Sequence, residues 1–460
     1  MKILHKKRRT TSAINKCIHS LKEQLNYHLV NGSDSSSFQQ IEQAIHQCIV
    51  NAGREIIEQL LSLYDLSDSV VTYRQKRFYK VLESEKTYQS LLGPVKIKRS
   101  LYRNKQDRKT ICPLEKLTGI VEGFWTPQAA KTALLYLSEL PSEKTKTLLS
   151  QVGMMQPSSS SLDRLPKYVN AQWEADRQGF EQRLRNTMEL PKDAVTLAIS
   201  LDGVMVPTRC NRIIGGDSRY EEASCGTLTL YDAQGECIWK RQYGRMPEHK
   251  KATLKAQLED DVTAITIQRP DLKTVKIADG ARDNWTYFAS ILPHGIEVLD
   301  FYHASEHLKR AFDVVYGENQ PKSIENYYKY RTSLLEHPTG VEKVIRHLYY
   351  LVKRHPRKKA LRAELVYFRR HRKHARYQEL VSQNLPIGSG VVEAVCKTLV
   401  SQRLKCSGMR WDYEGGQAIL TFRALSHSKL FDNAWSLLDK HYHGFIEAAN
   451  DSNYPLFAVA

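Results

Sequence analysis

No apolar run in this chain of 460 residues approaches the roughly 18 residues that a membrane-spanning helix needs. A membrane association through such a helix is therefore not expected. The basic start, "MKILHKKRRT", is not followed by the apolar stretch of roughly 7 to 15 residues that marks a secretory signal. Eight cysteines stand singly, at positions 17, 48, 112, 210, 225, 237, 396 and 406, with no C-x-x-C pair among them. That scatter suits reduced thiols in a cytoplasmic protein better than a disulfide framework or a structural zinc site. The chain also lacks a G-x-x-x-x-G-K-[ST] loop, so ATP use is not expected. Negative charge is in short supply: 50 acidic residues face 68 lysines and arginines, for a net charge of +18.

A field of that sign attracts polyanions, and with no membrane segment the leading partner is nucleic acid. A merely soluble basic protein is the plainer alternative. The distribution favours the first: between Lys353 and Arg376 there are 11 basic residues and one acidic residue, Glu364. Lys353, Arg354, Arg357, Lys358, Lys359, Arg369, Arg370, Arg372 and Lys373 form a candidate phosphate track within it. Tyrosines interleave with cations in "ENYYKYR" (325–331) and "RHLYYLVKRH" (346–355), as on surfaces that stack unpaired bases. Core packing is the alternative reading, especially for Tyr349 and Tyr350.

Patterning divides the chain into five segments. Residues 1–68 read as helical, broken by "NGSDSSS" at 31–37. Residues 69–190 begin with a small basic antiparallel sheet. In "GPVKIKRSLYR", Val95, Ile97 and Leu101 alternate with Lys96, Lys98 and Ser100, and with Arg99 these lysines are candidate DNA contacts. "SEKTKTLLSQVG" and "SSSSLDRLPKYVNAQWEADRQGF" follow as a possible helix-turn-helix, the first ending at Gly153 and the second disturbed by Pro166. Residues 191–317 turn to α/β: a strand in "AVTLAISLDGVMV", a hairpin turning near Gly235, a helix over 249–268, then strand, helix and strand. This order predicts a ribonuclease-H-like mixed sheet with helices on both faces. Residues 318–386 read as an all-helical basic insertion, and 387–460 as the completion of the core with C-terminal helices.

Three carboxylates fall at informative places. Asp202 lies late in the first core strand ("SLDG") and Asp279 ends the fourth ("IADG"). In the expected sheet these strands are parallel neighbours, which brings both carboxylates to one edge. The glycine after each lets the chain turn and leaves room for a ligand near the backbone. An aspartate ending an apolar strand is costly unless paired, hydrogen-bonded or bound to metal, and a turn or cap role is the alternative. Asp283 reads as an ordinary helix cap. Glu393, in "PIGSGVVEAVCKTLVSQRLKCSGMRW", falls in the first turn of a helix begun by glycines and Ser389, with Lys397 one turn on. Together these acids offer hard oxygen ligands to two divalent cations about 3.5–4 Å apart, which activate a nucleophile and stabilise the leaving oxygen of a phosphodiester displacement.

The blocks "SLDG", "IADGARDNW", "VLDFYHASEHL" and "IGSGVVEAVCKTLVSQRLKCSGMRW" resemble, in order, the catalytic blocks of bacterial insertion-sequence transposases of the DDE class, and most closely the Kra-type family. The likeness covers most of residues 90–425, and Pro166 is its one notable departure. It implies Asp202, Asp279 and Glu393 as catalytic and metal-binding residues, with Asp300, His303, Lys397 and Arg403 in support. It further implies two Mg2+ ions, with Mn2+ able to substitute, and double-stranded DNA at element ends and target. Binding of terminal inverted repeats, strand cleavage and strand transfer by a homo-dimer or larger assembly follow from the same likeness. A transposase-derived DNA-binding protein that no longer cuts is an alternative. A second is a zinc metalloprotease, since "LDFYHASEHLKR" contains His303, Glu306 and His307 in the order H-x-x-E-H.

Overall fold

The computed structural model describes residues 15, 18–23, 26 and 38–448, apart from 153, 210–219, 291, 293 and 389. The expected break at 31–37, the helix end at Gly153 and the cap at Ser389 lie outside the described residues. The chain forms two compact units: residues 1–176 with 432–460, and residues 177–431. No helix is long and apolar enough to cross a membrane among the described residues.

The first unit is built on helix α1 (Phe38–Leu63) and strands β1 (Val70–Tyr73), β2 (Lys76–Ser90), β3 (Gly93–Arg103) and β4 (Thr110–Ile111). All pair antiparallel, as expected, and the terminal strand β10 (Ile446–Ala448) adds to the free edge of β1. Ile446–Ala448 thus complete this sheet rather than the α/β core. Ile57 and Leu61 of α1 pack on Tyr88, Val95 and Ile97 of the sheet. Ser100 was expected on the exposed side with Lys96 and Lys98, but it is buried because Asp65 accepts from its amide (2.7 Å) and its hydroxyl (2.9 Å). Helices α2 (Pro127–Glu139), α3 (Ser142–Val152) and α4 (Ser159–Ala175) follow. Ser158 caps α4 by accepting from Ser161 N, and the helix runs through Pro166, whose ring is buried, without ending there. An interior proline costs the helix one hydrogen bond and crowds the carbonyl of the residue four earlier, here Leu162, yet the helix continues to Ala175.

The second unit opens with α5 (Arg177–Asn186) and carries a five-stranded sheet: β5 (Thr196–Pro207), β6 (Tyr220–Tyr231), β7 (Cys237–Arg245), β8 (Lys273–Ala278) and β9 (Ile296–Leu299). Strand order is β7-β6-β5-β8-β9. The hairpins β5–β6 and β6–β7 are antiparallel, whereas β5, β8 and β9 run parallel. The parallel pairs are joined through α6 (Ala252–Gln268) and α7 (Arg282–Ser290). This mixed α/β arrangement is compatible with a ribonuclease-H-like sheet. Alternation along β5 divides its neighbours. Leu197, Ile199 and Leu201 pack on Leu254, Leu258 and Val262 of α6. Val206 of the opposite face, with Ala223 and Cys225 of β6, packs on Val392, Val395 and Cys396. A buried ion network ties α5 and α6 to β7: Asp261 accepts from Arg185 Nη1 (3.0 Å), Arg241 Nε (2.8 Å) and the Tyr243 hydroxyl.

Helix α8 (Phe301–Tyr316) ends the segment read as the first part of the core, and α9 (Pro321–Glu336), α10 (Gly340–Arg354) and α11 (Lys359–Arg370) fall within 318–386, read as an insertion. Among the described residues its buried side chains do not form a separate core. Leu334, Val344, Leu348 and Leu365 share one apolar cluster with Val275, Ile277 and Val298 of the sheet. Next comes α12 (Gly390–Val395), a π-helical turn (Cys396–Ser401) and α13 (Gln402–Leu404), and α14 (Tyr413–His427) packs against the same sheet face. The π turn inserts one residue into the helical repeat, a device frequent at functional sites.

Candidate active site

The parallel register builds a row of carboxylates at the carboxyl edge of the sheet. Leu201 of β5 aligns with Ala278 of β8, and Ala278 with Leu299 of β9. One residue further on, the row reads Asp202, Asp279 and Asp300. The common edge for the first two is as the sequence implied, and it follows from two parallel ladders in step.

Each aspartate is held differently. Asp202 stays inside the ladder opposite Cys225, and β5 continues to Pro207 instead of turning at Gly203. Its Oδ1 accepts from Gly203 N (2.7 Å) and its Oδ2 from the Cys396 thiol (3.4 Å). Burial pushes the Asp202 carboxyl above the ordinary range, and the negative charge of Asp279 adds to this, while His303 and the two hydrogen bonds oppose it. Asp279 Oδ1 accepts from Ala281 N and from Asn284 Nδ2, both at 3.0 Å, so it also organises the start of α7. Asp283, read as the cap there, instead pairs with Lys255. Asp300 is buried and caps α8, accepting from Tyr302 N at 2.7 Å.

Room beside the backbone was the role expected of the two glycines, and here the structure differs. A side chain at Gly203 would fall on Glu222, and one at Gly280 on the Tyr367 ring, with His371 Nε2 at 3.3 Å. The space belongs to the protein's own side chains. Tyr367 stacks on His307 with ring centres 3.5 Å apart, and His307 Nδ1 lies 2.5 Å from Glu364. Burial, then the charges of Asp279, Asp300 and Glu364, push the Tyr367 hydroxyl up. Burial and the positive charges of Arg370, His374 and His307 push the His371 imidazole down to about 4.

This network also bears on the H-x-x-E-H pattern. His307 is committed to Glu364 and Tyr367, while His303 approaches Glu306 at 3.9 Å. The two imidazoles therefore have separate partners. Among the described residues, no group of three or more His, Cys, Asp or Glu side chains is gathered to hold a metal ion.

Glu393 is exposed in the first turn of α12. The π-helical turn that continues its helix reaches the row through Cys396, whose thiol donates to Asp202. Lys397 is also exposed and forms no ion pair with Glu393 among the described residues. Arg403 is buried, with its guanidinium over the Trp411 ring (5.1 Å), which makes it a packing element of α13. As donors, Asp202 and Asp279 suit a hard divalent cation: two carboxylates in register, one of them strained by burial and by the charge of the other. Glu393 stands on the element packed against that face.

The candidate DNA contacts divide by partner. Lys353, Arg354, Arg357, Lys359, Arg369, Arg370 and Lys373 are exposed. Lys353 and Arg369 lie over the Tyr349 ring, at 4.8 and 5.3 Å. Lys358 donates to Val314 O at the end of α8, and Arg372 to Glu342 at 3.0 Å. In the first unit Lys96 is exposed, Lys98 pairs with Glu83 at 2.8 Å, and Arg99 is bound to Glu115. Sequence reading missed Cys396, Asn284, Glu364, Tyr367 and His371. Only Asn284 carried a local signal, five residues after Asp279 at a helix start; the others reach the edge through tertiary packing.

No protein-family model and no curated protein matches the chain. Among solved structures, the mariner Mos1 paired end complex with Mg is similar at 11% sequence identity and a TM-score of 0.14, over 54% of this chain and 97% of that one. So loose a likeness leaves function to be argued from the site.

Proposed function

We propose that this chain is a DDE-class, Kra-type transposase that binds the terminal inverted repeats of an insertion sequence and catalyses metal-dependent strand cleavage and transfer. The observation that carries the reading is the in-register pair Asp202 and Asp279 at the edge of parallel strands, with the Glu393 helix packed on the same sheet face. Asp202 and Asp279 would hold divalent cations, with Glu393 completing the set. When bound, such ions supply an activated oxygen nucleophile and neutralise the leaving oxygen. The chain's own part is positioning. Gly203 N and the Cys396 thiol fix the Asp202 carboxylate, and Ala281 N and Asn284 fix that of Asp279. The exposed cations of α10 and α11 would hold DNA phosphates.

The test uses labelled duplex from the DNA flanking the gene. Asp202→Asn is expected to bind these ends as the parent does and to lose Mg2+-dependent nicking. Nicking retained by the variant overturns the assignment. A parent protein that binds the ends but cuts under no divalent metal would make it a transposase-derived binding protein.

A further inference from the structure

A concave feature lies between α9 and α10. It is a cleft of about 590 Å³ lined by Lys329, Tyr330, Ser333, Lys343, Arg346, His347 and Tyr350. Helical spacing explains its make-up. Lys343, Arg346, His347 and Tyr350 recur three and four apart on α10, so they share a face, while Val341, Val344, Leu348 and Leu351 turn to the core. The volume falls within the range of small-ligand sites.

Three kinds of group converge there. Lys343 and Arg346 have no carboxylate partner among the described residues, and Lys329 lies over the Tyr330 ring at 5.9 Å. The rings form a layered series: Tyr330 and His347 are 4.5 Å apart and 20° from parallel, and His347 and Tyr350 are 6.4 Å apart at 27°. Tyr350 is 51% exposed; the Arg354 guanidinium lies 5.7 Å from its ring centre and donates to its hydroxyl at 2.9 Å, so a further layer would share the ring with that cation. Finally, His347 Nε2 and Ser333 Oγ are enclosed yet make no hydrogen bond. Burial, then the charge of Lys329, lower the His347 pKa, which keeps the ring neutral and able to accept or donate.

Cations alone would fit any anion. Layered rings and two unsatisfied polar atoms add what a nucleobase uses: a flat face and an edge. A paired base cannot reach such a pocket without leaving its stack. Exposed Lys353 and Arg354 continue one turn beyond Tyr350 along α10, where the phosphates of a longer strand would run. We propose that this cleft holds one unpaired nucleotide of a DNA strand, its base against the Tyr330–His347–Tyr350 layer and its phosphate on Lys329, Lys343 and Arg346. The proposal deepens the reading of DNA as substrate and rests on it.

The experiment is fluorescence anisotropy of the full chain, in EDTA, with labelled oligothymidylate of 12 nucleotides and with a duplex of equal length. Tyr350→Ala is expected to weaken oligothymidylate binding about 5- to 160-fold, the range one stacked base contributes, and to change duplex binding less than twofold. Tyr350→Phe should retain binding, and Arg346→Ala should lose it even if Tyr350→Ala fails to fold. Unlabelled dTMP should compete better than inorganic phosphate at equal concentration. An oligothymidylate affinity within twofold of the parent for both alanine variants overturns the proposal. So does equal loss on single strand and duplex, or binding of dTMP without binding of the oligonucleotide. Because the readout needs no metal, a failure of Mg2+-dependent nicking leaves this result standing, and the converse holds.

Discussion

Substituting Gly280 by alanine tests whether the space beside Asp279 belongs to the protein or to a ligand. The added methyl would fall on the Tyr367 ring edge and within 3.3 Å of His371 Nε2. Tyr367 cannot yield freely, because its face is stacked on His307 at 3.5 Å and its neighbour Phe368 is fully buried. Forcing a methyl into such a contact costs about 1–3 kcal/mol. Tyr367→Ala alone removes a half-buried ring and should cost about 2 kcal/mol. The double variant relieves the clash, so its loss should fall short of the sum of the single losses by about 1 kcal/mol or more. Urea unfolding followed by tryptophan fluorescence is the assay, since Trp285 stands 5.9 Å from His371 and 4.4 Å from His374. A Gly280→Ala midpoint equal to the parent's, or additive losses in the double variant, refutes the reasoning. Nicking adds a second axis: if the space serves a ligand, the double variant regains stability without regaining activity.

Burial and the charge of Asp279 raise the Asp202 pKa, so the fold favours the protonated carboxyl and loses stability as pH rises through its folded value. Asp202→Asn in EDTA should therefore resist urea better than the parent at pH 7, with the gain gone below about pH 4, where the carboxyl is protonated folded or unfolded. His371 works with the opposite sign. Its imidazole is held down to about 4, against about 6.5 when unfolded, so the unfolded chain takes up a proton first and stability falls as pH drops through that window. His371→Gln should flatten the decline by up to about 3 kcal/mol in urea titrations between those limits. Neutralising Arg369, Arg370, Arg372 and Lys373 together should make the plot of log affinity against log salt shallower by about 3. Arg372 is the weaker member because Glu342 already engages it, and an unchanged slope would dismiss the track.

What the sequence revealed depended on the range of the interactions. The order of strands and helices from Thr196 to Leu299 was legible because alternation and apolar runs are local signals. So was the meeting of Asp202 with Asp279, which parallel pairing enforces. Ser100 looked exposed by alternation, yet a carboxylate 35 residues earlier draws it inside. Gly203 looked like a turn, yet the strand continues through it, since glycine's missing side chain here makes way for Glu222. Arg99 looked like a phosphate contact but is taken by Glu115, and Arg403, expected to support the catalytic site, lies over Trp411. The His307–Glu364–Tyr367 group joins residues 57 apart, and no pattern along the chain announces it.

The long separation between the carboxylates sets an order of events during synthesis. Asp202 and Asp279 lie on strands that pair within the first part of the unit, but Glu393 follows Asp279 by about 114 residues. At roughly 5–20 residues per second, translation needs about 6 to 23 seconds to cover that stretch. Until then the sheet face at Val206, Ala223 and Cys225 lacks its covering helix, and Asp202 lacks its thiol donor. On the proposed reading, a nascent or truncated chain would carry the cations that grip DNA before it carries the means to cut it. On that reading the helical segment is a delay line, and the capacity to cut waits until Glu393 has been made.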